Sequence, residues 1–177
     1  MNKAQLRQQY KALRHAIPQK AAKSLEICRA VERLPNWRTA TVVALYASLP
    51  DEVDTAPLIA AALRAGKTVC LPKVEGNEIA FYRIGEATQF HSGAYSIREP
   101  QSEVRIEKSD IELIIVPLLA ADSQNYRLGF GGGYYDRYLQ DFTGTTLGIC
   151  FGEQLSPTPL PHEAHDVPLE NIITQQS

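Results

Sequence analysis

Residues 41–48, TVVALYAS, are almost wholly apolar and β-rich, and residues 67–71, KTVCL, repeat that character after a helix-length gap. A strand with no polar alternation must be covered on both faces, which is the habit of a parallel sheet. The segment between them, residues 56–65 closed by Gly66, reads as a helix with a C′ glycine. Strand, helix and strand in that order imply a right-handed crossover and parallel pairing. Further strands, mostly apolar, at residues 112–118 and 146–151 extend the same sheet. The expected fold class is therefore α/β, with a mainly parallel, Rossmann-like open sheet.

The remaining elements follow from local signals. Residues 2–16 form an amphipathic helix with Asn2 as N-cap, its stripe made of Leu6, Tyr10, Leu13 and Ile17. A second helix runs to about Leu34 and is stopped by Pro35. Pro72 ends the strand at 67–71, a further strand covers 78–83, and a last one covers 171–174. Residues 84–109 read as loop. A chain of 177 residues, 44% hydrophobic, suits a single domain over 1–177.

Composition narrows the function. A net charge of −2 gives no basic bias towards nucleic acid. Cys28, Cys70 and Cys150 are isolated among apolar neighbours, so neither a disulfide framework nor a zinc ribbon is expected. The N-terminus MNKAQLRQQY is polar and helical, unlike a signal peptide, and no apolar run approaches the roughly 20 residues that span a bilayer. These features predict a cytoplasmic protein without a membrane segment, and a monomer.

The chemistry concentrates in RLGFGGGYYDR, residues 127–137, with Gly129, Gly131, Gly132 and Gly133 among its eleven residues. Glycines at that density allow positive φ and let N–H groups approach a ligand. A helix start follows, so the loop reads either as an anion site or as a tight turn that packs helix on sheet. No Gly-Lys-Ser/Thr follows, and Tyr134 occupies the place of a third dinucleotide-motif glycine. Arg127 offers a planar fork for phosphate, and Asp136 and Arg137 are candidate ion-pair partners.

Three further groups matter. Lys3, Arg7, Lys11 and Arg14 make a basic stripe with no acidic partner at i+4, which reads as a solvated face or as a cationic edge over a polyphosphate. Asp51 and Asp54 suit helix capping, whereas Glu52 is the carboxylate expected to face ligand N–H groups. His162 and His165 fall in a proline-broken tail and read as turn residues, while Asp166 beside Asp136 would make an oxygen pair suited to Mg²⁺. Polar clusters that follow strands meet at the carboxyl rim of an open α/β sheet.

Over most of its length the chain resembles the 5-formyltetrahydrofolate cyclo-ligase family. The resemblance rests on RLGFGGGYYDR, the basic first helix, DEVDT with LRAGKTVCLP, YSIREP and HDVPLENIIT. Two departures stand out: Ser96 where a glycine is expected, and Gln175 where an acidic residue is usual. The resemblance implies a three-layer α/β sandwich and ATP-dependent closure of 5-formyltetrahydrofolate to the 5,10-methenyl form, with release of ADP and phosphate. It implies that Lys3 and Arg7 hold ATP phosphates, and that Arg127, Leu128, Gly129, Phe130, Gly131, Gly132, Gly133, Tyr134 and Tyr135 wrap the nucleotide. Phe130 to Tyr134 would also face the folate, with Ala47 and Glu52 at its pterin end, and Asp136 and Asp166 would hold Mg²⁺. Arg127 and Tyr134 carry the expected catalytic roles.

The residue types agree with such chemistry. Phosphoryl transfer needs positioning and charge neutralisation more than a protein nucleophile, and no Ser–His–Asp or Cys–His set is evident. Two rivals are a sugar-phosphate isomerase or acyl-transfer enzyme, which needs no ATP, and a non-catalytic nucleotide- or RNA-binding module. The last would want exposed aromatics among the cations of the first helix, whereas Tyr10 lies on its apolar stripe.

Overall fold

The computed structural model describes residues 1–176. Helix α1 (Lys3–Ala16) starts with a reciprocal capping box between Asn2 and Gln5. Helix α2 (Lys20–Arg33) follows. Pro35 does not merely stop it: it occupies the first turn of a short helix α3 (Pro35–Thr39), where its missing N–H is no loss. Strand β1 (Val42–Ala44) is shorter than residues 41–48 because the chain leaves the sheet after Leu45. Helix α4 (Ala56–Arg64) then leads through Gly66, at φ +76, into β2 (Thr68–Glu75).

Pro72 lies inside β2 and pairs with Phe81 of β3 (Glu78–Ile84). The carbonyl of Cys70 accepts from Leu45, so the backbone of Pro72, two residues on, faces the side that β1 has already vacated. A proline is tolerated there because no ladder bond is lost. Residues 84–109, expected as loop, contain a hairpin of β4 (Phe90–Ser92) and β5 (Arg98–Pro100), then β6 (Arg105–Ile106) against β3. Strand β7 (Leu113–Val116) is central. A two-stranded ribbon, β8 (Ala120–Ala121) with β9 (Arg127–Leu128), separates it from the glycine loop. Helix α5 (Tyr134–Leu139), β10 (Thr145–Ile149) and β11 (Asn171–Ile173) complete the chain.

The main sheet has seven strands in the order β11-β10-β7-β1-β2-β3-β6. The first five are parallel, and β3 and β6 extend the edge antiparallel. Successive side chains alternate between its faces. Val43, Leu45, Val69, Leu71, Leu113, Ile115, Leu147 and Ile149 pack with Ile27, Val31 and Leu58 of the helical layer on one side. Ala44, Cys70, Ile114 and Val116 pack with Tyr138 and Leu139 of α5 on the other. This is the three-layer sandwich expected. The three cysteines are free and buried. None of the helices among the described residues is long and apolar enough to cross a membrane.

Candidate active site

The loop after β9 is built to leave its N–H groups bare. Gly131 has φ +109 and Gly133 φ +70, conformations that glycine adopts without strain. The carbonyl of Gly129 accepts from Arg7 Nε at 2.9 Å, and that of Gly132 from Arg137 Nη2 at 2.9 Å. Two guanidinium groups thus hold the carbonyls, while the N–H groups of Gly131, Gly132 and Gly133 donate to no protein group among the described residues. Unpaired, solvent-reached N–H groups in succession form an anion-binding concavity. Helix α5 has six residues, so its dipole is small and the expected helix-terminus contribution is minor. A Cβ on Gly131 would lie 3.4 Å from Arg7 Cζ, which puts that guanidinium directly beside the loop.

The basic stripe of α1 does not form a solvated face. Lys3 donates to Asp166 Oδ2 at 2.6 Å, Arg7 grips Gly129, and Arg14 is buried; only Lys11 is fully exposed. Asp166 also accepts the Glu163 N–H at 2.8 Å. Burial works against its ionised form, but Lys3 outweighs this and holds the carboxyl below the usual range. Asp166 in turn holds Lys3 above the ordinary lysine value, against the pull of burial.

Asp136 and Arg137 do not pair with each other. Asp136 Oδ1 instead accepts from Arg127 Nη2 at 2.9 Å and from the Val167 N–H at 3.2 Å, while Arg137 binds the carbonyls of Asn77 and Gly132. Arg127, expected as a free fork for phosphate, is turned inward. Its side chain is 4% exposed, and its second terminal nitrogen donates to the Val167 carbonyl at 2.8 Å. Desolvation pulls its pKa down and Asp136 opposes that pull. Arg127 therefore ties β9, α5 and the tail at Val167 together. Leu128 is a core residue, packed with Tyr10 and Leu160.

Glu52 stands apart from its neighbours, as expected. Asp51 pairs with His15 and Lys20 at the surface, and Asp54 accepts the Ala56 N–H at the start of α4. Glu52 is buried, with Oε2 accepting the Leu49 N–H at 2.7 Å and Oε1 lying 3.6 Å from Arg14 Nη1. Burial raises its pKa, partly countered by that N–H and by Arg14. Ala47, on the same loop, packs at the edge of the core cluster containing Tyr46 and Val53. Phe130 is 40% exposed, with the Arg14 guanidinium 5.4 Å from its ring centre. Tyr135 packs edge-on to Phe81, whereas Tyr134 lies under Arg137 and meets the hairpin-tip residue Tyr95 edge-on at 6.3 Å.

Arg14, Tyr46 and Tyr95 are members of the site that sequence reasoning did not assign. Arg14 shares the stripe of Lys3 and Arg7, a periodicity that could have flagged it. Tyr46 is buried within electrostatic reach of Glu52 and Tyr135, and its pKa is raised first by desolvation and then by Glu52. His162 stacks flat on Tyr126 at 3.7 Å and belongs to a structural turn. A cavity of about 430 Å³ between Leu63, Gly66, Arg83 and Val104 opens at the opposite, amino-terminal rim of β2 and holds none of these residues.

Comparisons with known proteins identify the family. The family model described as the 5-formyltetrahydrofolate cyclo-ligase family matches residues 1–175. The probable 5-formyltetrahydrofolate cyclo-ligase of Schizosaccharomyces pombe is 35% identical over 173 residues, covering 88% of this chain and 85% of the relative. The NMR structure of Aquifex aeolicus 5,10-methenyltetrahydrofolate synthetase superposes with a TM-score of 0.87 at 35% identity, over 100% of this chain and 91% of that one. The synthetase from Mycoplasma pneumoniae gives 0.81 at 27% identity, over 99% and 100%. With the fold, the glycine loop and the match along its length in agreement, the chain belongs to the 5-formyltetrahydrofolate cyclo-ligase family.

Proposed function

We propose that this protein converts 5-formyltetrahydrofolate to 5,10-methenyltetrahydrofolate with consumption of ATP, the triphosphate lying on the bare N–H groups of residues 131–133. The observation that carries this reading is the convergence of Arg7 and Lys3 from α1 on that loop and on Asp166.

The chemistry follows from the substrate. The oxygen of a formyl group carried on N5 is a poor leaving group as oxide. Transfer of the γ-phosphoryl group to that oxygen makes it leave as phosphate: ADP departs, N10 attacks the activated formyl carbon, the C–O bond breaks, and the N10 proton is released. Such a transfer asks the protein to align the two substrates and to neutralise charge on the phosphoryl oxygens. The loop N–H groups and Arg7 do this directly, and removal of a single such donor costs roughly 2.7–4 kcal/mol in enzymes where it has been measured. Lys3, held by Asp166, adds a further positive charge. Arg127, buried beneath, acts as a positioning residue that aims Asp136. Phe130 and Tyr134 offer ring faces to the folate, and Glu52 accepts N–H groups at its pterin end.

The residues also fit Mg²⁺. Asp136 and Asp166 each have one oxygen committed to protein donors, leaving Asp136 Oδ2 without a donor and Asp166 Oδ1 with only the His165 ring nitrogen 3.6 Å away. Two carboxylate oxygens with phosphate and water completing the shell is the habit of that ion, which supplies neutralisation of phosphate charge. The test is appearance of methenyltetrahydrofolate absorbance in the near ultraviolet on mixing protein, 5-formyltetrahydrofolate and MgATP. Growth of the band only with ATP supports the proposal; no band with folded protein ends it.

A further inference from the structure

We propose that Arg14 reads the 4-oxo group of the pterin, so that with Glu52 it selects 4-oxo over 4-amino folates. The inference rests on the folate reading of the site and adds a residue and a specificity to it.

Arg14 is a buried cation without the partners such a group needs. Its side chain is 7% exposed, and Nε and Nη1 are fully buried with no hydrogen bond. Glu52 Oε1 is 3.6 Å from Nη1, close enough for charge attraction but too far for a hydrogen bond. Desolvated N–H donors left unpaired are costly, and native proteins keep them where a ligand or water completes them. The guanidinium sits over the half-exposed ring of Phe130, inside the proposed folate region. Its unpaired donors are therefore set beside an acceptor-only carboxylate, where α1, the loop after β1 and the glycine loop meet.

A ligand edge that satisfies both must donate to Glu52 and, next to that, accept from Arg14. The 2-amino-4-oxo edge of a reduced pterin presents that order: the 2-amino group and N3–H donate, and O4 accepts. A 4-amino folate replaces O4 by a donor, removes the proton from N3, and faces Arg14 with like polarity. Sites built to hydrogen-bond one substrate group reject analogues that leave the buried partner unpaired by large factors.

The experiment compares 5-formyltetrahydrofolate with its 4-amino counterpart, which differs at position 4 and in lacking the N3 proton, as substrates of wild-type enzyme and of Arg14→Gln. The glutamine amide can turn to donate or to accept. Wild type is expected to favour the 4-oxo compound at least about 100-fold in kcat/KM, and Arg14→Gln to bring the ratio within about tenfold, with KM for ATP little changed. Equal loss on both compounds with the ratio intact would overturn the proposal and leave Arg14 structural. Should Arg14→Gln fail to fold, wild type alone decides through the protection each compound gives against thermal unfolding: equal shifts contradict the proposal. Absence of any turnover of 5-formyltetrahydrofolate by wild type would strike the proposed function instead, and is distinguishable on that ground.

Discussion

Replacing Arg127 by methionine should destabilise the protein before it touches nucleotide chemistry. The guanidinium is almost wholly buried and makes two strong contacts, to Asp136 Oδ1 at 2.9 Å and to the Val167 carbonyl at 2.8 Å. Methionine keeps an unbranched apolar stem without the guanidinium and leaves Asp136 with only the Val167 N–H. Breaking a buried pair from one side costs about 3–5 kcal/mol. Asp136 is 25% exposed, so water recovers part of that and about 2–3 kcal/mol is the better expectation. For a chain of this size that lowers Tm by roughly 5–10 °C. The double variant Arg127→Met with Asp136→Asn removes the orphaned charge and should recover at least about 1 kcal/mol, a coupling readable by a double-mutant cycle in urea. Both variants should lose turnover, because Asp136 is no longer aimed. A Tm within about 2 °C of wild type for Arg127→Met, together with loss of ATP affinity, would refute the strut and make Arg127 a direct phosphate ligand.

Other outcomes follow from the same contacts. Ser96 has φ +60 at the hairpin tip, so Ser96→Gly should relieve left-handed strain and stabilise by about 0.5–1 kcal/mol, seen as a Tm rise of a few degrees. Lys3→Met removes a phosphate contact and a partly exposed ion pair: KM for ATP should rise about tenfold while stability falls by no more than about 1 kcal/mol in urea titration. Glu52 has its pKa raised, chiefly by burial, so it takes up its proton above the usual carboxylate value. Its protonated form cannot accept two pterin N–H groups, and kcat/KM for the folate should fall on the acid side through a pKa above that value. The sign for stability is opposite: a carboxyl raised on folding favours the folded state at low pH and loses that contribution as pH rises through its folded pKa. An acid limb unchanged in Glu52→Gln would detach the residue from folate binding.

Much of the fold was legible because parallel strands declare themselves. The apolar runs around Val43, Val69 and Ile114 have no polar face, and only burial on both sides accounts for that. Prolines misled where context outweighed local rule. Pro72 stays in its strand because β1 has already left, a fact of topology rather than of sequence. The hairpin at 90–100 was invisible because its strands are three residues each and its turn is made by Tyr95 and Ser96 at positive φ rather than by glycine. In the site, the glycine loop and the residues at Lys3, Arg7, Glu52, Asp136 and Asp166 could be singled out in advance. Their partners could not. Nothing local pairs Asp136 with Arg127 rather than Arg137, since the choice depends on the tail returning with Val167. Arg14 looked like surface until the loop carrying Phe130 was seen to cover it.

The central claim, that residues 131–133 hold the triphosphate, is tested most directly by following their backbone amides in ¹⁵N spectra during titration with magnesium and a non-hydrolysable ATP analogue. Saturable shifts of the Gly131, Gly132 and Gly133 resonances, with slowed amide exchange at the same positions, are the predicted result. Saturable binding that leaves those three amides unmoved, or that shifts residues around Gly66 and Arg83 instead, would contradict it.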